Sequence, residues 1–416
     1  MTMPPVFFPD DLISVVFSVL PVKSLVRFRC LSKSCDSLIS DPIFVKFHLK
    51  RSSIRNPVLT INTQHIKQIP GDFLCEIQWE VDECVVPCPV SRLIDNPSLT
   101  LFIDPCYQWN IDQIWGRIVG VCNGLICLCG ESFNFIHSYP EYWLRLCNPA
   151  TRITSPRFGY FPYINHGDDS YGYSFGCDSS TDTYKVVAFK HIPDPFTTDV
   201  RILSLGDNVW RNLESFPVIP LRLGYEEKDV YFSGTLNWLA IHNMQLYNFK
   251  DITVEQFVIV SLDLATETYH QYRLPNGFDE VPSKEPTIGV LGDFLCFSYS
   301  YRETDFVIWQ MKKFGVEDSW TQFLKISYQD LQIDYDFNDV TTKYRFQLMP
   351  MLLCEDEDML ILKSGQDLQV ILYNLRENRV VRTDISVSRT PTDNRTSDHV
   401  AWNFFKGSVE SLVPVF

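Results

Sequence analysis

The sequence predicts a mainly β protein in which a small all-α module, residues 5–50, precedes a propeller-like β-repeat domain, residues 55–416, of about six blades. Near the N-terminus, apolar residues recur at helical spacing, and afterwards short apolar strands alternate with polar turns. Those strands return at intervals of 52 to 65 residues. An aromatic content of 14% together with 25 prolines also favours strands and turns.

The first helix is expected to start at Pro9, a residue suited to the first helical position, and to end before Pro21. At about 100° per residue, the seven apolar residues from Leu12 to Leu20 cover an arc of roughly 200°. A surface helix normally buries a stripe only a little over about 100° wide. This helix therefore needs apolar neighbours on two sides.

Three further short helices are expected before residue 50. They are a helix over Lys23–Arg29 that buries Leu25 and Phe28, one capped by Ser32 that carries Leu38 and Ile39, and one started by Asp41-Pro42 that buries Phe44 and Phe47. Four short helices form a very small core, which is marginal alone. The module should gain stability by docking on the rest of the chain or on a partner. We expect the repeats to share no core with Leu12 and Pro21.

One block recurs through the rest of the chain: a polar or glycine turn that opens a mostly apolar strand. Its copies are Asn123–Leu128, Asp182–Val187, Gly234–Leu239, Gly292–Phe297 and Glu357–Leu362. A second, hairpin-like block follows at Leu146–Arg152, Leu262–Thr268 and Tyr373–Arg379, and Trp210 and Trp320 end similar hairpins in the other two units. A four-strand unit at this interval matches a propeller blade, somewhat above the kelch spacing of about 50 residues.

About six such units fit between residue 57 and the last residue, within the four to eight blades of known propellers. The tail, Ser408–Phe416, is expected to be a strand that completes the first blade and closes the ring, which removes exposed edges. The alternative folds are a β-sandwich or an irregular β array.

Charge and cysteine usage narrow the class of protein. The net charge of −15 divides into +4 over residues 1–55 and −19 beyond them, and an acidic body argues against general nucleic-acid or anionic-membrane binding. No run approaches the roughly 18 apolar residues of a membrane span. The 13 cysteines include no CxxC pair, which favours reduced thiols in the cytoplasm, the nucleus or both.

Two N-terminal segments, Phe8–Ile13 and Leu20–Ser34, closely resemble the F-box of plant F-box proteins. Later blocks resemble the F-box-associated domain of the same proteins, often labelled F-box/kelch-repeat; they are Val119–Leu125, Leu146–Thr151, residues 176–187 and Val409–Val413. The resemblance spans nearly the whole chain. Two departures are Cys35, where the family usually has tryptophan, and the absence of a kelch-type Gly-Gly doublet.

The resemblance implies a non-catalytic substrate-recognition subunit of an SCF-type (Skp-cullin-F-box) E3 ubiquitin ligase. The F-box would dock on a Skp adaptor, which is tethered to cullin and RING subunits, while the β domain holds a target protein for ubiquitination. The implied adaptor-binding residues are Pro9, Leu12, Ile13, Leu20, Pro21, Val22, Leu25, Phe28 and Leu31.

Target recognition is predicted on loops of one propeller face, because loops on a rigid scaffold carry variability without disturbing it. The candidates lie in two aromatic-rich connections, Phe158–Tyr173 and Asp330–Tyr344; they are Tyr160, Phe161, Tyr163, Tyr335 and Phe337. The competing interpretation is that these aromatic residues pack the loops down onto the domain.

No nucleophile elbow, P-loop, HExxH or dinucleotide-binding motif occurs, so no catalytic residue, metal or cofactor is predicted. Three alternatives stay open. One is a propeller-based enzyme, such as a hydrolase or a copper oxidase that uses His137, His242 and His270. Another is a lectin-like receptor whose tryptophan and tyrosine side chains stack on the sugars of a glycosylated target. The third is a scaffold without a ligase role.

Overall fold

The chain folds as a six-bladed β-propeller preceded by helices. The computed structural model describes residues 10–55, 57–70, 77–102, 108–109, 117–134, 139–162, 171–192, 197–221, 229–242, 251–333, 347–364, 370–388 and 401–415. The predicted fold class, a small helical module followed by about six blades, is therefore confirmed.

Four helices form the module, and a fifth follows the second strand. They are α1 (Asp10–Phe17), α2 (Val22–Arg29), α3 (Lys33–Ser40), α4 (Pro42–Arg55) and α5 (Val90–Asp95). As predicted, the Ser32 hydroxyl caps α3 by accepting a hydrogen bond from the Cys35 N–H at 3.1 Å. The Asp41 carboxylate likewise accepts from the N–H groups of Ile43 and Phe44 at the start of α4. One prediction is wrong: Phe47 is not inside the module but 37% exposed.

Twenty-eight strands are described. In chain order they are β1 (Pro57–Pro70), β2 (Ile77–Pro89), β3 (Ser98–Phe102), β4 (Gln108–Trp109), β5 (Arg117–Cys122), β6 (Leu125–Asn134), β7 (Tyr139–Asn148), β8 (Ile153–Thr154), β9 (Phe158–Pro162), β10 (Gly172–Asp178), β11 (Thr183–Ile192), β12 (Thr197–Ser204), β13 (Trp210–Leu213), β14 (Ile219–Pro220), β15 (Val230–Phe232), β16 (Thr235–Ile241), β17 (Phe257–Asp263), β18 (Tyr269–Arg273), β19 (Thr287–Leu291), β20 (Phe294–Tyr301), β21 (Asp305–Met311), β22 (Trp320–Ser327), β23 (Leu348–Cys354), β24 (Met359–Ser364), β25 (Val370–Asn374), β26 (Arg379–Arg382), β27 (Asp384–Ser388) and β28 (Ala401–Val409).

Five blades take their strands consecutively. Blade 2 is β5-β6-β7-β8 with β9 added beside β7, and blade 3 is β10-β11-β12-β13. Blade 4 is β14-β16-β17-β18 with β15 beside β16, blade 5 is β19-β20-β21-β22, and blade 6 is β23-β24-β25-β26. The pairings inside these blades are antiparallel. The repeated block seen in the sequence is the second strand of each of these blades, with the turn that precedes it.

Blade 1 is built from both ends of the chain, in the order β28-β1-β2-β4. The last strand pairs antiparallel with β1, from Pro57 opposite Val409 to Gln64 opposite Ala401. This pairing closes the ring, as the tail was predicted to do. The predicted bounds were wrong, because the closing strand lies mainly before residue 408 and residues 410–415 are not a strand. A short parallel pair, β27 with β3, lies outside the six blades.

The turns explain the polar residues of the repeats. In blade 2, Asn123 and Gly124 join the first two strands with φ values of 51° and 77°, a backbone conformation that glycine and asparagine tolerate. The turn into the fourth strand is held by one side chain. The Asn148 Oδ1 accepts hydrogen bonds from the N–H groups of Ala150 and Thr151, and the corresponding Asp and Asn side chains do the same in blades 4 and 6.

The module and the propeller share a hydrophobic core. One cluster of buried side chains contains Val22, Leu25, Ile39, Phe44 and Val45 from the module, Cys122 and Leu125 from blade 2, and Leu412 and Val413 from the C-terminal segment. The module therefore docks on the rest of the chain, which was one of the two expected possibilities, and Leu12 and Pro21 lie outside the shared cluster, as expected. The physical reason for the shared core is size, because four short helices cannot bury their own wide apolar arcs.

Polar contacts tie the same three parts together. The Glu410 carboxylate accepts a hydrogen bond from the Val22 N–H at the start of α2, at 3.2 Å. Lys46 of α4 forms an ion pair with Asp182 in the first turn of blade 3. The Asn148 side-chain amide donates to the carbonyl oxygens of Ser411 and Val413 at 3.0 and 2.8 Å. The segment over residues 410–415 thus lies between the helices and the propeller.

Candidate functional site

Exposed apolar side chains are concentrated in the helical module. Ten large hydrophobic residues of the described chain are exposed, and six of them lie between residues 12 and 47: Leu12, Val15, Val16, Leu31, Ile43 and Phe47. The other four are spread over the far larger propeller. Soluble proteins seldom keep apolar side chains together at the surface unless something binds there. The module is therefore the first candidate for a binding surface.

Helix α1 shows how the surface arises. Leu12, Val15 and Val16 have the i, i+3, i+4 spacing that places side chains on one face of a helix. The other side of α1 is anchored, because the Phe17 ring stacks on Phe28 with centroids 5.3 Å apart. The wide apolar arc predicted from the sequence is thus divided between an inner contact and an exposed stripe.

Helix α4 repeats this division. Phe44, Val45 and His48 are buried, while Ile43 and Phe47, one turn apart, face outwards. The Arg51 guanidinium lies 4.6 Å from the centroid of the Phe47 ring, which is a cation–π distance.

The residues implied as adaptor-binding fall into three groups. Leu12, Pro21 and Leu31 are exposed, Ile13, Leu20 and Phe28 are partly buried, and Val22 and Leu25 are buried in the shared core. Pro9 lies outside the described residues. Sequence reasoning missed Val15, Val16 and Ile43. The two valines lie within the recognised apolar arc, but an arc does not say which half of it is covered.

The module lies on one particular face of the propeller. Consecutive antiparallel strands run in opposite directions, so the first and third turns of each blade open on one face. Asp182, which meets Lys46, is in such a first turn, and Asn148, which holds the C-terminal segment, begins a third turn. The connections between blades therefore join the opposite face. Tyr160 and Phe161 were predicted on a loop, but they lie in strand β9, which pairs with β7 at the edge of blade 2. Most of the remainder of the two predicted segments lies outside the described residues.

The predicted target-binding residues behave differently from one another. Tyr160 is 49% exposed, whereas Phe161 is 2% exposed. The Phe161 ring makes edge contacts with Tyr171 and Trp210, at centroid distances of 4.9 and 5.5 Å. Phe161 therefore packs β9 against the next blade, and Tyr160 presents its side chain to solvent. The remaining candidates, Tyr163, Tyr335 and Phe337, lie outside the described residues.

A polar network closes the space beside Phe161. The Tyr171 hydroxyl donates to the Asp199 carboxylate at 2.5 Å, and Arg201 donates to the same carboxylate at 2.9 Å. Burial alone would raise the pKa of Asp199, but hydrogen bonds from Arg201 and Tyr171 outweigh it and lower the pKa. The network is internally satisfied, so it stabilises the connection rather than offering groups to a ligand.

Within the described residues, no group of three or more His, Cys, Asp and Glu side chains could hold a metal ion. His242 and His270 are exposed, and His137 lies outside the described residues. Burial raises the pKa of the Cys147 and Cys296 thiols to about 12, which keeps them protonated and poorly nucleophilic. None of the described helices has the length and apolar character needed to cross a membrane.

Comparison with known proteins places these features in a family. Residues 96–408 match the family described as F-box associated beta propeller domain. The F-box protein CPR1 of Arabidopsis thaliana is 28% identical over 76% of this chain and 72% of its own length. An F-box/kelch-repeat protein of the same plant is 24% identical over 76% of this chain and 79% of its own length. Among solved structures, the β-propeller domain of the Trilobed protease from Pyrococcus furiosus is similar over 64% of this chain and 70% of its own, at 10% identity and a TM-score of 0.34.

Proposed function

This chain belongs to the F-box-associated β-propeller family, and we propose that it is the substrate-recognition subunit of an SCF-type E3 ubiquitin ligase. In this role the chain is not itself an enzyme. The helical module binds a Skp-type adaptor, which connects it to cullin and RING subunits, and the propeller binds a target protein. It requires no cofactor and works in the cytoplasm, the nucleus or both.

One observation supports the adaptor contact above all others. The module buries one side of its helices against the propeller and leaves six large apolar side chains exposed to solvent. A module already stabilised by the propeller needs no further apolar contact for folding. The exposed set therefore fits a protein partner, and Leu12 and Leu31 lie at F-box positions that meet the adaptor in the resembling family.

The position of the module supports the division of labour. The helices pack on the face formed by the first and third turns of the blades, and the connections between blades join the opposite face. A target bound on that opposite face would point away from the adaptor, and a rigid body between the two would hold it at a constant distance from the ligase machinery. The shared core makes the two parts one body, because moving the helices would expose Val22 and Leu25.

The test is a double variant, Leu12→Ala with Pro21→Ala, in the full-length protein. Apolar truncation at an interface hot spot can cost more than about 2 kcal/mol, so adaptor affinity should fall at least about tenfold in a pull-down or by calorimetry. Circular dichroism and the melting temperature should stay close to wild type, because both residues are exposed. Target capture should persist, so the variant should protect its target from ubiquitination.

The matched control is Val209→Ala, which removes an equally exposed apolar side chain from the propeller. It should bind the adaptor as well as wild type does. Unchanged adaptor capture by a folded double variant would contradict the proposed function. Affinity purification with mass spectrometry should yield Skp and cullin peptides from wild type and identify the target in the same experiment.

A further inference from the structure

One aromatic side chain of blade 2 lies in an unusual position. The Trp143 indole of β7 lies against β6 at the point where its partner residue is Gly130, and a Cβ atom at that glycine would overlap the ring. Neighbouring residues on the same sheet face, Ile126 and Leu128, pack against Val85 of blade 1. The indole therefore lies flat on the second blade, on the side that faces the first.

Two positive charges converge on this ring. The Arg157 guanidinium lies 4.4 Å and that of Arg145 lies 5.5 Å from its centroid. Burial, and then the charge of Arg157, lowers the pKa of Arg145. Each cation–π contact is favourable. The two guanidinium groups nevertheless repel each other, and no ion pair among the described residues includes either of them.

The same cluster also contains donors without acceptors. The Trp143 Nε1 and the Arg145 Nε are both buried and have no hydrogen-bond partner among the described residues. Trp143 as a whole is only 4% exposed. Leaving a buried donor unpaired destabilises the folded chain, more so when the donor is charged, so this cluster is not satisfied by the described residues alone.

A ligand can reach the two guanidinium groups from solvent, although the Trp143 Nε1 and Arg145 Nε atoms themselves are buried. Arg157 and Tyr160 are exposed and Arg145 is partly exposed, so the cluster opens onto the surface. Tyr160 lies close enough to Arg145 to affect its ionisation electrostatically. Tyr160 is also the one predicted target-binding residue that is both described and exposed, so the cluster adjoins the expected recognition surface.

We propose that Trp143, Arg145 and Arg157 form an oxyanion site whose preferred ligand is a phosphate monoester on the target protein. The two guanidinium groups supply the accessible donors, and a dianionic phosphate matches the double positive charge better than a single carboxylate does. The indole fixes one guanidinium above its face, so less ordering is required when the ligand binds. This inference deepens the proposed function and depends on it only for the identity of the carrier, a target protein.

The test is binding of small probes to the full-length protein. Inorganic phosphate, O-phosphoserine and acetate are each titrated while the indole N–H resonances are followed by NMR, with Trp143→Phe identifying the Trp143 signal. Both phosphate compounds should shift that signal saturably and raise the melting temperature, and acetate should bind at least about tenfold more weakly. An acetate response equal to that of phosphoserine would overturn the phosphate preference. A Trp143 signal that does not move with any probe would overturn the site.

Variants separate ligand binding from a structural role. Arg145→Gln and Arg157→Gln should each weaken phosphoserine binding at least about tenfold, which is about 1.4 kcal/mol. The control Arg376→Ala removes an exposed arginine from blade 6 and should leave binding unchanged. Arg145→Met removes an unpaired, partly buried charge, so it should melt at or above the wild-type temperature without phosphate and lose the phosphate-dependent rise. A large drop in its melting temperature without ligand would instead show that Arg145 is structural, and would overturn the proposal.

These measurements do not involve the adaptor. Loss of phosphate binding with normal Skp capture would remove the oxyanion site and leave the proposed function intact. Phosphate binding by a chain that captures no Skp would contradict the proposed function and leave the oxyanion site intact.

Discussion

The helical module and the propeller cover their apolar side chains in different ways. In the propeller, each sheet is covered on both faces by neighbouring blades, and second strands such as β16 and β24 are buried along their whole length. In the module, four helices of 8 to 14 residues have one neighbour, the propeller face, and leave Leu12 and Ile43 in solvent. The propeller stabilises itself by closing on itself. The module is stabilised from one side and leaves large apolar side chains exposed elsewhere.

The contacts at the boundary therefore affect both regions, whereas contacts inside one region affect mainly that region. The segment over residues 410–415 touches both, since Glu410 accepts from the Val22 N–H while Leu412 and Val413 enter the shared core. The same end of the chain closes the propeller through β28 and anchors the module. Changes near the C-terminus should consequently affect both regions, in an order that the following variants can establish.

The largest effect is expected from removing residues 401–416. This deletion takes away β28, which leaves β1 with an unpaired edge and opens the ring. The variant should aggregate or melt at least about 10 °C below the intact chain in a thermal scan. Removing only residues 410–416 keeps the β28 pairing and should lower the melting temperature less. Equal melting of the longer deletion and the intact protein would show that ring closure adds no stability.

The effect of a leucine-to-alanine change on the free energy of unfolding should depend strongly on which side of the module the leucine occupies. Leu25 is fully buried in the shared core, so Leu25→Ala should lower the free energy of unfolding by about 2–5 kcal/mol. Leu12 is 55% exposed, so Leu12→Ala should change it by less than about 1 kcal/mol. Urea denaturation of both variants measures the difference. Equal costs would mean that Leu12 is as important to the fold as Leu25.

A substitution of the glycine in the first turn of blade 2 tests the contact between the propeller and the C-terminal segment. Gly124 has a φ of +77°, and a Cβ there would overlap the Cβ of Ser411 and lie 2.7 Å from the Val409 carbonyl oxygen. Gly124→Ala should therefore lower the free energy of unfolding by about 2 kcal/mol or more. Gly206 also has positive φ but nothing within 4 Å, so Gly206→Ala should cost only about 1 kcal/mol. Similar losses in the two variants, measured by urea denaturation, would indicate that the C-terminal segment does not pack on the turn.

The smallest effect concerns pH. His48 of α4 is buried, and its Nε2–H donates to the Leu20 carbonyl at 2.9 Å. Burial lowers its pKa below the usual 6.5, although this hydrogen bond and the Glu410 charge oppose the shift. The unfolded chain therefore binds a proton more readily, and stability should fall as pH drops below about 6.5, by at most about 1.4 kcal/mol per pH unit.

The measurement is urea denaturation of wild type and His48→Gln at pH 7.5, 6.5 and 5.5. The wild type should lose stability between the last two values, and the difference between the two proteins should shrink there. A constant difference across this range would show that His48 has the same proton affinity in both states.

Much of the fold could be predicted from local patterns. The starts of α3 and α4 follow from Ser32 and Asp41, because a capping side chain bonds to backbone within its own turn. The second strand of five blades was located from a turn residue followed by an apolar run. Both signals act over a few residues, so neighbouring sequence contains the whole interaction.

Placement of the site depended on tertiary structure. Leu12 and Leu25 both belong to apolar helix faces, yet one is exposed and the other is fully buried, because only the latter meets the propeller. Two adjacent residues of β9 illustrate the same limit: Tyr160 faces solvent while Phe161 fills the space beside Trp210. Neither distinction is visible in the spacing of residues along the chain.

The residues of the proposed oxyanion site are even harder to group from local sequence patterns. Gly130 is on β6, Trp143 and Arg145 are on β7, and Arg157 lies between β8 and β9. Their meeting depends on the register that sets Gly130 opposite Trp143 and on the connection that returns Arg157 to the indole face. No motif in the sequence joins these four residues.

The sequence by itself determined the kinds of element, their order and the approximate number of blades, because turns, caps and periodicity act between residues that are close in the chain. Tertiary structure alone decided which apolar side chains are covered, that the helices share a core with the propeller, and that two arginines meet over one indole. Burial is a property of surfaces brought together from distant parts of the chain, and a pattern read along the chain does not contain the surface on the other side.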